Sequence, residues 1–325
     1  MHILVTGGAG YIGSATAAAL KKAGHSVTVY DSLVTGHRRA VPEGAGFIQA
    51  DLSDGHALAK ALTEEKFEAV MHFAAFIEAG ESMKDPGRFY HNNLSNSLTL
   101  METAVRAGVK RFVLSSTAAV YRSSDEPLTE ESPLGPTNVY GHTKLMVEEA
   151  LEWYRQIHGL HFAALRYFNA CGATPERGEA HQPESHLIPL VLRVPLGQRE
   201  AAQVYGSDYP TPDGTCIRDY IHISDLVSAH LLVLEGLRER DRLVYNLGSG
   251  NGYSVREVIE TARLVTGHPI PVEELPRRPG DSARLVASSE KIRRELGWEP
   301  KHQDLREMIA SAWEWHRSHP NGYED

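Results

Sequence analysis

The feature that most constrains the fold is a glycine-rich turn that directly follows the first apolar segment. Residues 2–7 are typical of a strand, and they lead into the sequence GGAGYIG at 7–13. Gly7, Gly10 and Gly13 are evenly spaced, and Gly8-x-Gly10-x-x-Gly13 also fits the dinucleotide-binding fingerprint. Because glycine has no side chain, backbone N–H groups can approach a pyrophosphate, and the following helix adds its positive dipole end. The pattern predicts a dinucleotide site at the end of the first strand.

A carboxylate at the end of the second predicted strand refines this expectation. Asp31 ends the segment 26–31, at the distance from the glycines where such sites have an acidic residue. A carboxylate there can accept hydrogen bonds from ribose hydroxyls and repels a 2′-phosphate, so NAD is favoured over NADP. Asp51 ends the next strand, and we expect it beside the adenine together with Leu52.

Short apolar strands alternate with helical patterns through the first half of the chain. The predicted strands lie at 2–7, 26–31, 46–51, 69–75, 111–121 and 161–169. This alternation predicts an α/β fold, a Rossmann-type doubly wound parallel sheet with helices on both faces.

The rhythm changes near residue 170, where the sequence becomes polar and irregular. We predict a dinucleotide-binding domain at 1–170 and a second, smaller α+β substrate domain at 171–325, with some segments returning to the first. A helix is expected at 187–197 and hairpin-like strands at 203–217.

Bulk properties exclude several function classes. The net charge is −9 and no basic stripe is visible, which argues against nucleic acid as a partner. Cys171 and Cys216 are the only cysteines, so a disulfide framework and a four-cysteine zinc site are both excluded. No His-Glu-x-x-His motif occurs, and no metal is expected. The absence of a signal peptide and of an apolar run near ~18 residues favours a cytoplasmic protein without membrane contact.

A phenol and an ammonium are combined on one predicted helix. Tyr140 and Lys144 are four residues apart, so both side chains emerge on the same face. We expect Lys144 to lower the pKa of Tyr140, so that the phenol takes and returns a proton near neutral pH.

Hydroxyl side chains end the predicted strand at 111–121. Ser115, Ser116 and Thr117 lie at its carboxyl end, where open α/β sheets bind their ligands. Alternation along a strand points Ser116 away from Ser115 and Thr117, so capping of the loop is the expected role of Ser116.

Longer motifs give the chain a family resemblance. TPDGTCIRDYIH at 211–222 and HPNGY at 319–323 are the most specific of them. With the motifs above, they make the chain similar to the extended short-chain dehydrogenase/reductases and, within these, to the UDP-glucose (or UDP-galactose) 4-epimerase family. The resemblance covers nearly the whole chain. It implies an isomerase with tightly bound NAD that interconverts UDP-galactose and UDP-glucose through a transient 4-keto sugar, a part in galactose metabolism, and a homodimer.

The resemblance also implies individual roles. Tyr140 would be the acid/base, Lys144 would hold the nicotinamide ribose, and Thr117 would bind the 4-hydroxyl of the sugar. The residues implied in NAD binding are Gly7, Gly10, Tyr11, Ile12, Gly13, Asp31, Ser32, Leu33, Thr35, Gly36, Asp51, Leu52, Phe73, Ala74, Ala75, Ile77, Asn92, Ser115, Tyr140, Lys144 and Phe168. Those implied in UDP-sugar binding are Thr117, Asn169, His186, Leu187, Gln203, Tyr205, Arg218, Tyr220, Arg278, Asp281 and Leu285. Two of these are arginines, which suit a diphosphate because guanidinium groups pair with phosphate oxygens.

Three positions depart from well-known members of that family. Ile77 stands where some have a lysine near the cofactor, and His186 replaces an asparagine beside the nucleotide. Leu285 occupies a position thought to limit the room beside the C2 substituent of the sugar, and a side chain of its size leaves an N-acetyl group possible.

Other activities therefore stay open. The first alternative is epimerisation of another UDP-sugar, namely an N-acetylhexosamine, a pentose or a uronic acid. A 4,6-dehydratase is disfavoured because Ala118 and Ala119 follow Thr117 where that family has an acid pair. An inactive NAD-sensing binding protein is disfavoured because it needs neither Tyr140 nor Lys144.

Overall fold

A seven-stranded parallel sheet forms the centre of the protein. The structure is a computed structural model that describes residues 1–278 and 281–324. The strands of the sheet are β1 (His2–Thr6), β2 (Ser26–Asp31), β3 (Gly46–Gln49), β4 (Ala69–His72), β5 (Arg111–Thr117), β6 (His161–Tyr167) and β10 (Arg242–Leu247). Their order is β10-β6-β5-β4-β1-β2-β3, and every neighbouring pair is parallel. This sheet confirms the Rossmann-type prediction.

Helices cover both faces of this sheet. They are α1 (Tyr11–Lys22), α2 (Gly55–Glu64), α3 (Ala79–Ser82), α4 (Pro86–Phe89), α5 (Asn96–Arg106), α6 (Val139–His158), α8 (Ile223–Gly236) and α10 (Glu290–Leu296). A π-helical stretch, Tyr90–Ser95, joins α4 to α5. Along β1, Ile3 and Val5 pack with α1 and α8, whereas Leu4 packs with α2, α5 and α6. The apolar runs in the sequence therefore mark strands buried on both faces.

The remaining elements build a smaller α+β part with its own core. They are β7 (Asn169–Cys171), α7 (Leu187–Leu192), β8 (Ala202–Tyr205), β9 (Ile217–His222), β11 (Gly252–Ser254), α9 (Val255–Thr266), β12 (Val272–Leu275), β13 (Arg284–Leu285) and α11 (Leu305–Ser318). Strand β9 pairs with β7 and β13 in parallel and with β11 antiparallel. Helices α7, α9 and α11 enclose the core.

Two predictions for this part are wrong. No hairpin joins the two ends of 203–217, because β8 pairs in parallel with the distant β12 while β9 joins a different sheet. Helix α7 ends at Leu192, before the predicted 197.

Segments beyond residue 171 return to the central sheet. Strand β10 is its edge strand beside β6, and α8 packs on the same face as α1. In the described part of the chain, no helix is both long and apolar enough to cross a membrane.

Candidate active site

A cavity of about 1190 Å³ runs along the carboxyl edge of the central sheet. Its walls include the glycine turn after β1, the end of β2, the segment after β4 and the ends of β5 and β6. The smaller part closes it with residues near 180 and with Tyr205, Arg278 and Asp281. This is the edge at which open α/β sheets bind ligands.

The glycine turn forms a cradle that side chains would fill. Gly7 has a φ of +72°, and a Cβ on it would lie 2.5 Å from the backbone nitrogen of Ala74. A Cβ on Gly13 would lie 2.2 Å from the carbonyl oxygen of Gly7. Helix α1 begins at Tyr11, and no side chain in the described part of the chain caps it, so its first backbone N–H groups face the cavity. The turn fits the pyrophosphate of a dinucleotide.

Asp31 lies in this wall and also holds its backbone. One carboxylate oxygen accepts the N–H of Ala9 at 2.9 Å, and the other accepts the N–H of Leu33 at 2.8 Å. Burial raises the pKa of Asp31, and these two hydrogen bonds oppose the rise. The position fits the expected ribose contact, because each carboxylate oxygen can accept a further hydrogen bond.

The residues expected to bind NAD are gathered in one place, with one exception. All of them except Leu33 line the cavity. Leu33 adopts a left-handed backbone conformation, with a φ of 61°. Its N–H binds Asp31, so its contribution in this structure is to the shape of the loop.

The catalytic candidates meet at the middle of the cavity. Asn138 caps α6 by accepting the N–H of Gly141 at 2.8 Å, and this fixes the start of the helix that carries Tyr140 and Lys144. Thr117 and Ser115 come from the end of β5 and line the same cavity. The Nζ of Lys144 donates to the carbonyl oxygen of Ser115 at 2.8 Å.

The electrostatics of Tyr140 differ from the sequence prediction. Burial raises its pKa to about 12, a hydrogen bond with Thr117 opposes the rise, and the charge of Glu78 adds to it. Burial also lowers the pKa of Lys144 to about 8, opposed by Glu148. The prediction of a net lowering of the Tyr140 pKa is therefore wrong for this structure, because desolvation of the phenol outweighs the interactions that favour the phenolate.

The three hydroxyls at the end of β5 have different partners. Ser115 forms a short hydrogen bond with the hydroxyl of Tyr167. Ser116 points to the other side, as predicted, where it donates to buried Glu148 rather than capping a loop. Thr117 accepts the N–H of Ala119 at 3.1 Å, so Thr117 is the residue that caps the following turn.

The residues expected to bind the UDP-sugar divide into two sets. Those that line the cavity are Thr117, Asn169, His186, Gln203, Tyr205, Arg278 and Asp281. The guanidinium of Arg278 lies 3.7 Å from the ring centroid of Tyr205, whose hydroxyl donates to Gln203 at 2.9 Å. These contacts hold several polar groups together at one end of the cavity.

The other four, Leu187, Arg218, Tyr220 and Leu285, lie outside that lining. Arg218 donates to the carbonyl oxygen of Ser282 at 2.7 Å and is 3.4 Å from Asp281. Leu285 lies beside Arg218 in the pairing of β13 with β9, and Tyr220 lies beside Asn169 in the pairing of β9 with β7. Arg218, Tyr220 and Leu285 therefore adjoin the lining residues, while Leu187 begins α7.

The cavity is also lined by residues for which the sequence predicted no role. Tyr167, Glu78 and Arg199 line it, as do the side chains of Glu179, His181 and Glu184. The sequence does carry a signal for the last three, because Glu-x-His occurs twice within 179–186. No local signal marks the others, since tertiary packing brings them to the site.

Comparison with known proteins agrees with this geometry. The model of the NAD dependent epimerase/dehydratase family matches residues 3–248. A UDP-glucose 4-epimerase from Halalkalibacterium halodurans is 50% identical over 99% of this chain and 98% of its own. A solved structure of a UDP-glucose 4-epimerase is 51% identical, with a TM-score of 0.96 and full coverage of both chains. Another, from Bifidobacterium longum in complex with NAD+ and UDP, is 37% identical, with a TM-score of 0.95 over 99% of this chain and 100% of its own. The chain therefore belongs to the NAD dependent epimerase/dehydratase family.

Proposed function

We propose that this protein is an NAD-dependent epimerase that interconverts UDP-galactose and UDP-glucose by inverting C4 of the hexose. The observation that carries the proposal is that one cavity contains the Gly7 and Gly13 cradle, the Tyr140–Thr117 pair, and Arg278 stacked on Tyr205. A dinucleotide, a proton shuttle and a diphosphate clamp are the three parts that this reaction requires. Homologues named UDP-glucose 4-epimerase at 50% identity support the same assignment.

The residues of the glycine cradle and the nearby Asp31 would hold the cofactor. The glycine turn and the N-terminus of α1 suit the pyrophosphate, and Asp31 suits the adenosine ribose. When bound, NAD supplies a positively charged hydride acceptor that later returns the hydride. Because the cycle is redox-neutral, the protein needs no exchange of cofactor between turnovers.

Tyr140 would move the proton of the 4-hydroxyl. Thr117 lines the cavity and hydrogen-bonds Tyr140, so it can also orient a sugar hydroxyl toward the phenol. Tyr140 as phenolate takes the hydroxyl proton while C4 loses its hydride, which leaves a 4-keto sugar. After the keto sugar has turned its other face, hydride returns to C4 and Tyr140 returns the proton to the oxygen. Burial opposes the phenolate, so Tyr140 depends on the nearby positive charge of Lys144 and of the bound cofactor.

Rotation of the keto sugar requires tight binding of the nucleotide and loose binding of the hexose. Arg278 stacks on Tyr205 and is available to phosphate oxygens, and Asn169 lines the adjoining wall. We place the diphosphate and uridine at this end, with Arg218 behind it. In this assignment, the dinucleotide belongs to the part at 1–170 and the UDP-sugar to the part at 171–325.

We also propose a homodimer in the cytoplasm. Trp153 and Ile157 on α6 are 62% and 68% exposed, and Leu98 on α5 is 37% exposed. A second copy of the chain that covers these side chains would remove their apolar surface from water, which stabilises the dimer. Light scattering should give twice the chain mass, and Trp153→Glu should reduce it to the mass of one chain.

The first experiment follows C4 inversion by proton NMR, without added NAD. UDP-galactose and UDP-N-acetylgalactosamine are incubated separately with the wild type and with Tyr140→Phe. Inversion of UDP-galactose that slows by about 10²–10⁴-fold in the variant is the expected result. Inversion of the N-acetylated sugar as well would extend the substrate range. Absence of inversion for both sugars, even with added NAD, would contradict the proposal.

A further inference from the structure

The segment 179–186 contains two copies of one local structure. The sequence Glu-x-His occurs at 179–181 and again at 184–186. In each copy, Oε1 of the glutamate accepts the N–H groups of the next two residues, at 2.9 and 3.0 Å in the first and 2.7 Å for both in the second. Nδ1 of the histidine lies 3.0 and 2.9 Å from the same oxygen. Each copy therefore presents one imidazole and one carboxylate in a fixed relation.

The two copies face each other and form a cluster of four side chains. One ligand atom from each of Glu179, His181, Glu184 and His186 lies within 4.8 Å of the other three. Nδ1 of His181 is 3.8 Å from Oε1 of Glu184, and the two imidazole centroids are 5.2 Å apart. Three of the side chains are at most 10% exposed, while that of His186 is 36% exposed. The cluster is thus closed on most sides and open toward the cavity that it lines.

The donor chemistry of this cluster suits a transition-metal ion. Two imidazole nitrogens and two carboxylate oxygens form a ligand set that Zn²⁺ accepts in tetrahedral geometry. Backbone N–H groups fix Oε1 of each glutamate, which is the outer support that metal-binding carboxylates usually have. Within the described residues, Oε2 of both glutamates accepts no hydrogen bond, and Nε2 of His181 is buried without a partner. Each ligand atom would have to move only about 1 Å toward the centre of the cluster to reach the distances that zinc ligands have.

We propose that Glu179, His181, Glu184 and His186 bind one divalent first-row transition-metal ion, best matched by Zn²⁺. The ion enters from the cavity past His186 and ties the two Glu-x-His copies together. It takes no part in the hydride or proton transfers at Tyr140, although His186 also belongs to the residues expected to bind the UDP-sugar.

The test measures zinc binding directly on the full-length, untagged protein with its NAD. Protein cleared of metal by a chelator is dialysed against Zn²⁺, and the bound metal is counted by mass spectrometry. We expect one Zn²⁺ per chain, and binding weakened by at least about tenfold in His181→Asn/His186→Asn. His302→Asn is the matched control, because His302 also has a glutamate 3.8 Å away but lies outside the cluster. It should bind zinc as the wild type does.

A second readout keeps the test independent of any defect in the double variant. Zn²⁺ should raise the thermal midpoint of the wild type and of His302→Asn, but not that of His186→Asn, whose side chain is the most exposed of the four. Co²⁺ in place of Zn²⁺ should give the absorption bands of a tetrahedral site. Wild-type protein that takes up no stoichiometric Zn²⁺, or variants that bind it equally well, would overturn the proposal and leave two His–Glu ion pairs.

Discussion

The ammonium of Lys144 and the carbonyl oxygen of Ser115 form a 2.8 Å hydrogen bond that joins α6 to the end of β5. Both residues are buried, and both line the cavity. This bond fixes the cation one helical turn from Tyr140, while burial lowers the pKa of the ammonium to about 8. Lys144 therefore holds the strand end, and in the proposed reaction its charge would also stabilise the phenolate of Tyr140.

Replacement of Lys144 by methionine tests whether the charge and the hydrogen bond of this side chain matter beyond its packing. Lys144→Met retains most of the side-chain volume but removes the charge and the hydrogen bond. We expect kcat to fall by about 10²–10⁴-fold, because the Tyr140 phenolate loses its nearby cation. The pH at which the rate rises should shift upward in the variant. A rate within a fewfold of the wild type, with the same pH profile, would show that Lys144 is only structural.

Alanine substitutions at two glycines with similar backbone angles separate the effect of backbone strain from that of a collision between the new Cβ and neighbouring atoms. Gly7 and Gly24 have φ values of +72° and +85°, but a Cβ on Gly24 would meet no atom of the described residues within 4 Å. Gly24→Ala should cost about 1–2 kcal/mol of stability and retain NAD. Gly7→Ala adds a collision with the backbone of Ala74, so it should lose NAD as well. Bound NAD, released by denaturation and assayed, is the measurement, and equal retention by the two variants would contradict the cradle.

Neighbouring arginines provide a matched test of the diphosphate clamp. Arg278 stacks on Tyr205 at 3.7 Å and lines the cavity, whereas Arg277 stacks on Tyr209 at 4.1 Å and binds Asp208 at the surface. Arg278→Lys should raise the KM for the UDP-sugar by about 10-fold with a smaller change in kcat, because a lysine cannot make a bidentate contact. Arg277→Lys should leave both constants unchanged. Similar effects of the two substitutions would place the diphosphate elsewhere.

A buried histidine predicts loss of stability in mild acid. His72 lies between the hydroxyls of Thr6 and Ser97, each 2.8 Å away, and burial lowers its pKa to about 3. The unfolded chain binds this proton near pH 6.5, so stability is full above that pH and decreases as the pH falls. The decrease should approach about 1.4 kcal/mol per pH unit.

Urea unfolding at pH 7.5 and pH 5 measures this effect. His72→Gln should be less stable than the wild type at pH 7.5, and its stability should depend less on pH. The exposed His56, on α2, gives the control His56→Gln, which should follow the wild type at both pH values. Parallel pH dependence of all three proteins would contradict the role of His72.

Features that depend on a few neighbouring residues were accessible from the sequence. The glycine turn, Asp31 at the end of β2 and the hydroxyls at the end of β5 all follow from short patterns, because parallel strands bring their carboxyl ends to one edge. The pKa of Tyr140 was not accessible in this way, because it depends on burial by distant parts of the chain. The pairing of β8 with β12 was missed for the same reason, since about 70 residues separate them along the chain.

The late return of β10 to the central sheet also determines when this protein can fold during synthesis. The first strands emerge from the ribosome early, yet β6 lacks its outer neighbour until residues 242–247 have been made. Until then, the nascent chain exposes an unpaired strand edge, which is a template for association with other chains. Chaperone protection of the growing chain is therefore expected to matter most while residues 168–241 are being made.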